Sequence, residues 1–187
     1  MFAGMAALQF QAGIFHVVTH AFFKALLFLG AGAIIHALHG EQDIRKMGGL
    51  WRDLKLIFVL FLVGAFALSG FPFSSGFFSK DAILTAAYER FATGDYIRLS
   101  SLIWVALLVT ALLTAFYSAR MIAIVFLGKP AEPEHETDHP REIHHPGWLI
   151  LGPLAVLAFL AAFGGIDRKS TRLNSSHQSV SRMPSSA

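Results

Sequence analysis

The residues best suited to chemistry in this sequence stand at steps of four within an apolar stretch: His16, His20 and Lys24. At about 100° per residue, positions four apart drift only about 40°, so the three side chains share one face of a helix. Ionisable groups inside a membrane segment are typical of proton relays and ion pathways. The spacing therefore predicts a functional polar stripe about two turns long.

The helix that must carry this stripe runs from Gly13 to Leu38, about 39 Å at 1.5 Å per residue, which is enough to cross a hydrocarbon core of about 30 Å. Lys24 falls near its middle. A charged lysine at that depth costs about 2.5 to 3.5 kcal/mol, and snorkelling would have to carry it about 18 Å. We therefore expect Lys24 to be functional, although either histidine alone would be explained as well by hydrogen bonding in a core.

A second site is predicted where the next hydrophobic segment, residues 56–88, is interrupted by residues 69–76. Gly70, Pro72 and Gly76 favour a broken helix there, because proline lacks a backbone donor and glycine loosens the helical ladder. Freed backbone in a membrane must be satisfied by protein or by a water-filled cavity, and such breaks mark many transport sites. An ordinary proline kink with a charged pair near an interface is the alternative.

Lys80 and Asp81 follow the break directly and open the second half-helix. The positive end of a helix disfavours a charged lysine and favours an aspartate, so the two neighbours oppose each other. We therefore expect both to belong to the site at the break.

Composition places the chain among integral membrane proteins, since 55% of its residues are hydrophobic and 14% are charged, against about 25% charged in soluble domains. The absence of cysteine excludes disulfides, thiolate metal sites and cysteine-ligated iron–sulfur clusters in this chain. The net charge of +3 arises in the last residues, because residues 1–166 hold 11 Lys+Arg and 11 Asp+Glu. We therefore predict a lipid bilayer as the environment and no nucleic-acid partner.

Two further spans, residues 101–127 and 148–166, complete a predicted domain of four spans over residues 13–166. The fold class is then all-α, a polytopic transmembrane helix bundle with one broken helix. The basic loop of residues 40–55 predicts a cytoplasmic or matrix side by the positive-inside rule. Arg120 lies near the end of its span, where snorkelling explains it.

The loop of residues 128–146 is rich in histidine and acidic residues, as metal sites are. Its prolines prevent a stable helix that would hold His135 and His139 on one face, so we predict no metal site. At the two ends of the chain, residues 1–12 look like the end of a truncated helix and a short turn. Residues 167–187 are serine-rich without an apolar period, and we expect a disordered, non-native tail.

Three runs occur in a fixed order: His16 to Leu29, Gly40 to Leu50, and Gly76 to Asp81. Together they resemble the L-subunit family of NADH-quinone oxidoreductase, respiratory complex I, whose mitochondrial counterpart is chain 5 of NADH dehydrogenase. The resemblance covers about residues 1–166. It implies an antiporter-like bundle whose spans match the eleventh to fourteenth helices of a longer subunit.

The resemblance also implies residue roles: Lys24 as the central lysine of the second proton half-channel, His16 and His20 linked to it, and Lys80 with Asp81 on the exit side. The implied function is proton translocation coupled to electron transfer from NADH to quinone. No catalytic residue or cofactor is implied for this chain. NADH, FMN, iron–sulfur clusters and quinone belong to other subunits, and the implied partners are other membrane subunits of complex I in the bacterial inner or mitochondrial inner membrane.

There are three alternatives to a complex I subunit, of which the first is the nearest in kind. The large subunit of the multi-subunit sodium/proton antiporters shares the broken helix and buried lysine, although the loop from Glu41 to Leu50 favours complex I. Haem ligation by His16 and His20 is disfavoured, because residues four apart on one helix cannot supply opposite axial ligands. A purely structural membrane fragment stays open.

Overall fold

The computed structural model describes residues 10–92, 97–129 and 143–165. These residues form five α-helices, α1 (Phe10–Ala37), α2 (Lys55–Ser69), α3 (Ser75–Ala92), α4 (Ile97–Ile122) and α5 (Trp148–Phe163), with a π-helix (Ala123–Leu127) continuing α4. The described part of the chain contains no strand. The predicted fold class, a membrane helix bundle with one broken helix, is confirmed.

Some predictions concern residues outside the described ranges. The prediction for residues 1–12 was the end of a truncated helix and a short turn, and residues 1–9 of it lie there. The histidine-rich part of the loop, at residues 130–142, and the tail of residues 167–187 lie there as well. They stay predictions.

Two stretches are long and apolar enough to cross a membrane, Gly13–Ala37 and Ser101–Leu127, and α2 and α5 are shorter apolar helices. The helix α2 and its continuation α3 are the two halves of the segment that the sequence predicts to be broken. The division of residues 13–166 into four spans stays a prediction.

The two halves of the broken segment connect the bundle, since α2 and α3 each pack against all four of the other α-helices, while α1 packs against α2, α3 and α5. The largest fully buried side chains join these helices into one core: Phe23, Leu26, Ile57, Phe126 and Leu154. Close packing depends on small residues. A Cβ placed on Gly64 of α2 would lie 3.1 Å from the side chains of Leu26 and Leu27.

The break between α2 and α3 is closed by local hydrogen bonds. Gly70 has a φ of +80°, and its N–H donates to Phe66 O and Ala67 O, as at many helix C-termini. Ser74 begins the next helix, because its Oγ accepts the N–H of Phe77 at 3.2 Å, which is the usual arrangement at a helix N-cap. The break thus brings the C-terminus of one helix beside the N-terminus of the next.

Candidate functional site

Lys80 bridges the break in the helix. It lies on α3, yet its Nζ donates to Leu68 O, in the last turn of α2, at 2.7 Å. The last four carbonyls of a helix lack partners within that helix and carry its negative end. The ammonium group of Lys80 therefore neutralises the C-terminus of α2 from a half-buried position.

His16 of α1 reaches the same place through a serine. Its Nδ1 lies 3.1 Å from Ser79 Oγ, and that hydroxyl donates to Gly76 O at 3.1 Å. A hydroxyl has one proton to donate. While Ser79 gives it to Gly76, the His16 Nδ1–H donates to Ser79, so the neutral ring keeps Nε2 as a proton acceptor.

A cavity of about 220 Å³ joins the two ionisable groups. It is lined by His16 and Lys80 and by further residues of α3 and α4: Ile83, Leu84, Leu107, Thr110, Ala111 and Thr114. At about 30 Å³ per water molecule, this volume holds several waters. The arrangement can therefore pass a proton between Lys80 and His16 through water.

His20 and Lys24 extend from His16 along α1. The rings of His16 and His20 have centroids 5.9 Å apart, and His20 meets the edge of Phe23 at 5.2 Å. Lys24 is exposed in the described chain, and its Nζ lies 4.8 Å above the ring centroid of Phe28. Neither His20 nor Lys24 lines the cavity at Lys80, so the structure brings together His16 and Lys80 and leaves Lys24 on a separate surface.

The remaining predicted residues surround the break. Asp81 is exposed and does not line the cavity. A Cβ on Gly76 would lie 1.7 Å from Ala67 O, and one on Gly70 would lie 3.1 Å from Lys80 Cδ. Both glycines therefore permit close approach, whereas Pro72 is exposed in the connection.

Four hydroxyl residues at the site were missed in the sequence. Ser75 and Ser79 are fully buried on α3, and Ser75 Oγ donates to Ala161 O of α5 at 2.6 Å. Thr110 and Thr114 of α4 line the cavity. Each pair is spaced by four residues, so the same periodicity that selected His16 and Lys24 could have found them.

A second histidine group lies at the other end of α1. His36 and His144 have ring centroids 5.4 Å apart, and with His39 they line a cavity of about 580 Å³. No pattern in the sequence indicated that they would lie together. Within residues 10–92, 97–129 and 143–165, no group of three or more His, Cys, Asp or Glu side chains is placed to hold a metal ion.

Comparisons with known proteins agree on one family. A profile described as "NADH:quinone oxidoreductase/Mrp antiporter, TM" matches residues 1–114. The chain is 44% identical over 162 residues to NADH-quinone oxidoreductase subunit L of Campylobacter jejuni, covering 86% of this chain and 25% of that protein. It is 46% identical over 166 residues to the subunit L of Pseudomonas aeruginosa, covering 88% and 24%.

A relative named as chain 5 of NADH-ubiquinone oxidoreductase also matches. NADH-ubiquinone oxidoreductase chain 5 of Acanthamoeba castellanii is 40% identical over 168 residues, covering 88% of this chain and 23% of that protein. The chain thus spans about a quarter of the length of the curated relatives it matches.

Among solved structures, the chain resembles one from the Mrp complex of Dietzia sp. DQ12-45-1b with a TM-score of 0.68. The match covers 88% of this chain and 36% of that chain at 21% identity. This likeness is one of fold.

Proposed function

Because the chain belongs to the transmembrane family of NADH:quinone oxidoreductase and Mrp antiporter subunits, we propose that it forms part of the proton path of a complex I membrane subunit. In that role it couples electron transfer from NADH to quinone with proton transport. The observation that carries the proposal is the contact of Lys80 with Leu68 O across the broken helix, beside a cavity that also contains His16.

Lys80 is suited to bind and release a proton because two helix ends act on it in opposite directions. The carbonyls ending α2 stabilise its charged form through the bond to Leu68 O. The positive N-terminus of α3 opposes this more weakly, because Lys80 is in the second turn of that helix and the field of a helix end falls off within its first turn. A small movement of either half-helix therefore changes which form is preferred.

His16 is the next proton carrier in this proposal. A proton released by Lys80 enters the water of the cavity and is accepted at the free Nε2 of His16, whose ring orientation Ser79 fixes. His20 follows at 5.9 Å between ring centroids, and Lys24 lies one helical turn further along α1. The proton path thus runs along α1 between Lys24 and Lys80.

Asp81 and Lys24 have roles that depend on the rest of a full-length subunit. Asp81, next to Lys80, stabilises the charged amine while it is ionised, so movement or protonation of its carboxylate releases the proton. The exposed surface of α1 around Lys24 packs against other parts of the longer subunit, which supply the water or partner that a lysine at that depth needs.

The partners and the membrane location are proposed from the same family membership. The chain works with other membrane subunits of complex I, which also hold NADH, FMN, the iron–sulfur clusters and quinone. It resides in the bacterial inner membrane or, for the mitochondrial counterpart, the mitochondrial inner membrane. Residues 13–166 cross it four times, with the loop at residues 40–55 on the cytoplasmic or matrix side.

The proposal is tested by Lys80→Arg in a full-length subunit of the reconstituted complex. Arginine keeps a cation but stays charged throughout the physiological range, so the complex should assemble and oxidise NADH while pumping far fewer protons per NADH. Lys55→Arg, at an exposed lysine of α2, is the matched control and should pump normally. A normal proton yield from Lys80→Arg would leave Lys80 with a structural role.

The second candidate is the large subunit of a multi-subunit sodium/proton antiporter. It is favoured by the family description, which covers both classes, and by the likeness in fold to the Mrp complex. The two functions differ in their energy source. Proton pumping that requires NADH oxidation and is unchanged when sodium is replaced by choline supports complex I, whereas sodium-dependent proton exchange without NADH supports the antiporter.

A further inference from the structure

Two side chains of α3 bind the C-termini of two other helices. Lys80 Nζ donates to Leu68 O at 2.7 Å, in the last turn of α2. Ser75 Oγ donates to Ala161 O at 2.6 Å, in the last turn of α5. Both carbonyls are among the last four of their helices, which lack partners within the helix. The helix α3 is therefore attached to α2 through an ionisable group and to α5 through a hydroxyl.

The contact between Ser75 and α5 is fully buried. Ser75 and Ala161 both have 0% of their surface exposed, so water cannot replace either partner without opening the packing. Separating the two groups would leave a buried donor and a buried acceptor unsatisfied, which costs free energy. The bond therefore keeps the first residue of α3 on the end of α5.

Close backbone packing reinforces this attachment. A Cβ placed on Gly165, just beyond the end of α5, would lie 2.8 Å from Ser75 Cα. A Cβ placed on Gly76 would lie 1.7 Å from Ala67 O of α2. The first turn of α3 is thus in close contact with the ends of both α5 and α2, and its position depends on both.

The position of α3 in turn determines where the Lys80 amine lies. Lys80 is about 7.5 Å beyond Ser75 along the helix, and a Cβ on Gly70 would lie 3.1 Å from Lys80 Cδ, so the lysine stem has little room to bend. Because hydrogen bonds are lost beyond about 3.5 Å, a displacement of about 1 Å at Lys80 separates Nζ from Leu68 O.

We propose that Ser75 is a positioning residue for Lys80, since its bond to Ala161 O fixes the start of α3 to α5 and thereby places the amine at Leu68 O. This inference rests on the proposed function of Lys80. The Ser75 bond joins two neutral groups, so it holds α3 in place whether or not Lys80 carries its proton. Helix α5 then affects transport through the position that it gives to α3.

Distances between spin labels test whether Ser75 positions α3. In a full-length subunit of the reconstituted complex, Val59→Cys on α2 and Tyr88→Cys on α3 carry the labels, at positions 52% and 55% exposed in the described chain. Residue 88 is about 20 Å beyond Ser75, so a tilt that moves Lys80 by about 1 Å moves residue 88 by about 2 to 3 Å. A complex without the two new cysteines measures labelling elsewhere.

Ser75→Ala should shift the mean distance between the labels, or broaden its distribution, by about 2 Å at equal assembly. Ser118→Ala is the matched control. Ser118 is only 2% exposed, and its Oγ has no hydrogen-bond partner within the described parts of the chain, so the same substitution there loses no such bond. A distribution in Ser75→Ala that equals that of Ser118→Ala overturns the inference.

Gly165→Ala disturbs the same contact from α5 and leaves the hydroxyl intact. Its new methyl group would meet Ser75 Cα at 2.8 Å, so the end of α5 must move away from α3, and the distance should shift as it does in Ser75→Ala. Gly152→Ala, also on α5, is the control, because a Cβ there meets nothing within 4 Å. If Gly165→Ala behaves like Gly152→Ala, α5 does not position α3 and the inference is wrong.

Proton pumping in the same complexes separates this inference from the proposed function. Ser75→Ala should pump fewer protons per NADH than the wild type but more than Lys80→Arg, because it displaces the amine without removing it, and Ser118→Ala should pump normally. Normal pumping by Lys80→Arg overturns the proposed function. Impaired pumping by Lys80→Arg together with normal pumping by Ser75→Ala overturns the positioning role alone.

Discussion

Lys24 and Lys80 are both lysines in hydrophobic segments, but the structure gives them different surroundings. Lys24 lies in the middle of the continuous helix α1, exposed, with its Nζ 4.8 Å above the Phe28 ring. Lys80 lies at a break, half-buried, with its Nζ 2.7 Å from Leu68 O. A continuous helix has no free carbonyl to offer an ammonium group, whereas a broken helix provides one at its C-terminus. The break therefore provides the half-buried Lys80 with a carbonyl acceptor.

The two lysines also differ in how far they depend on the rest of the protein. The site at Lys80 is assembled from α1, α2, α3 and α4, and all of its contacts lie within the described residues. Among the described residues, Lys24 lies over the ring of Phe28, and a cation over an exposed ring gains only about 0.5 to 1 kcal/mol. We therefore expect Lys80 to depend on local structure and Lys24 to depend on the rest of a full-length subunit.

The largest expected effect comes from closing the space at the break. In Gly76→Ala the new methyl group would meet Ala67 O at 1.7 Å, so α2 and α3 must separate, at a cost of about 3 kcal/mol or more. Assembly of the complex should fail or its thermal midpoint should fall strongly. Gly32→Ala on the unbroken α1 is the control, because a Cβ there meets nothing within 4 Å. Equal assembly of the two variants would show that the break is not rigid.

A smaller effect, confined to transport, is expected at Lys24. Lys24→Ala should assemble but pump far fewer protons per NADH, because it removes a group placed at the depth of the bilayer centre. Arg120→Ala is the control, since Arg120 lies in the last turn of α4, where its charge can reach the interface. Equal losses of pumping at equal assembly would contradict the assignment of Lys24.

The smallest effect should follow the loss of the Ser79 hydroxyl. Ser79→Ala leaves the half-buried His16 Nδ1 without its partner at 3.1 Å, which costs about 1 kcal/mol, and the ring loses its fixed orientation. Pumping should fall partly, while Ser69→Ala, which loses an exposed bond to Phe66 O, should leave it unchanged. If Ser79→Ala pumps like the wild type, Ser79 does not position His16.

The apolar periodicity of the sequence was enough to predict the fold class, and its glycine and proline residues were enough to predict a break within residues 69–76. The helices actually end at Ser69 and restart at Ser75. Ser75 and Gly76 fit inside α3 because the N–H groups of a first helical turn need no partner within the helix. Local composition therefore located the break but overestimated its length.

The pairing of His16 with Ser79 could not be predicted in this way. The two residues are 63 positions apart, and their contact depends on how α1 packs against α3 rather than on any local pattern. The same holds for the threonines of α4, which become part of the site only because α4 lies beside α3. Periodicity gives the face of a helix, and tertiary packing decides which faces meet.

The central claim is that Lys80 works by changing its protonation state, and chemical replacement of its side chain tests it. Lys80→Cys removes the amine, and reaction with 2-bromoethylamine restores a primary amine of nearly the same length. Reaction with (2-bromoethyl)trimethylammonium instead installs a permanent cation. A complex that retains Lys80 and is treated with both reagents controls for modification elsewhere. The account predicts that the primary amine restores proton pumping per NADH and that the permanent cation does not, and equal restoration by both would contradict it.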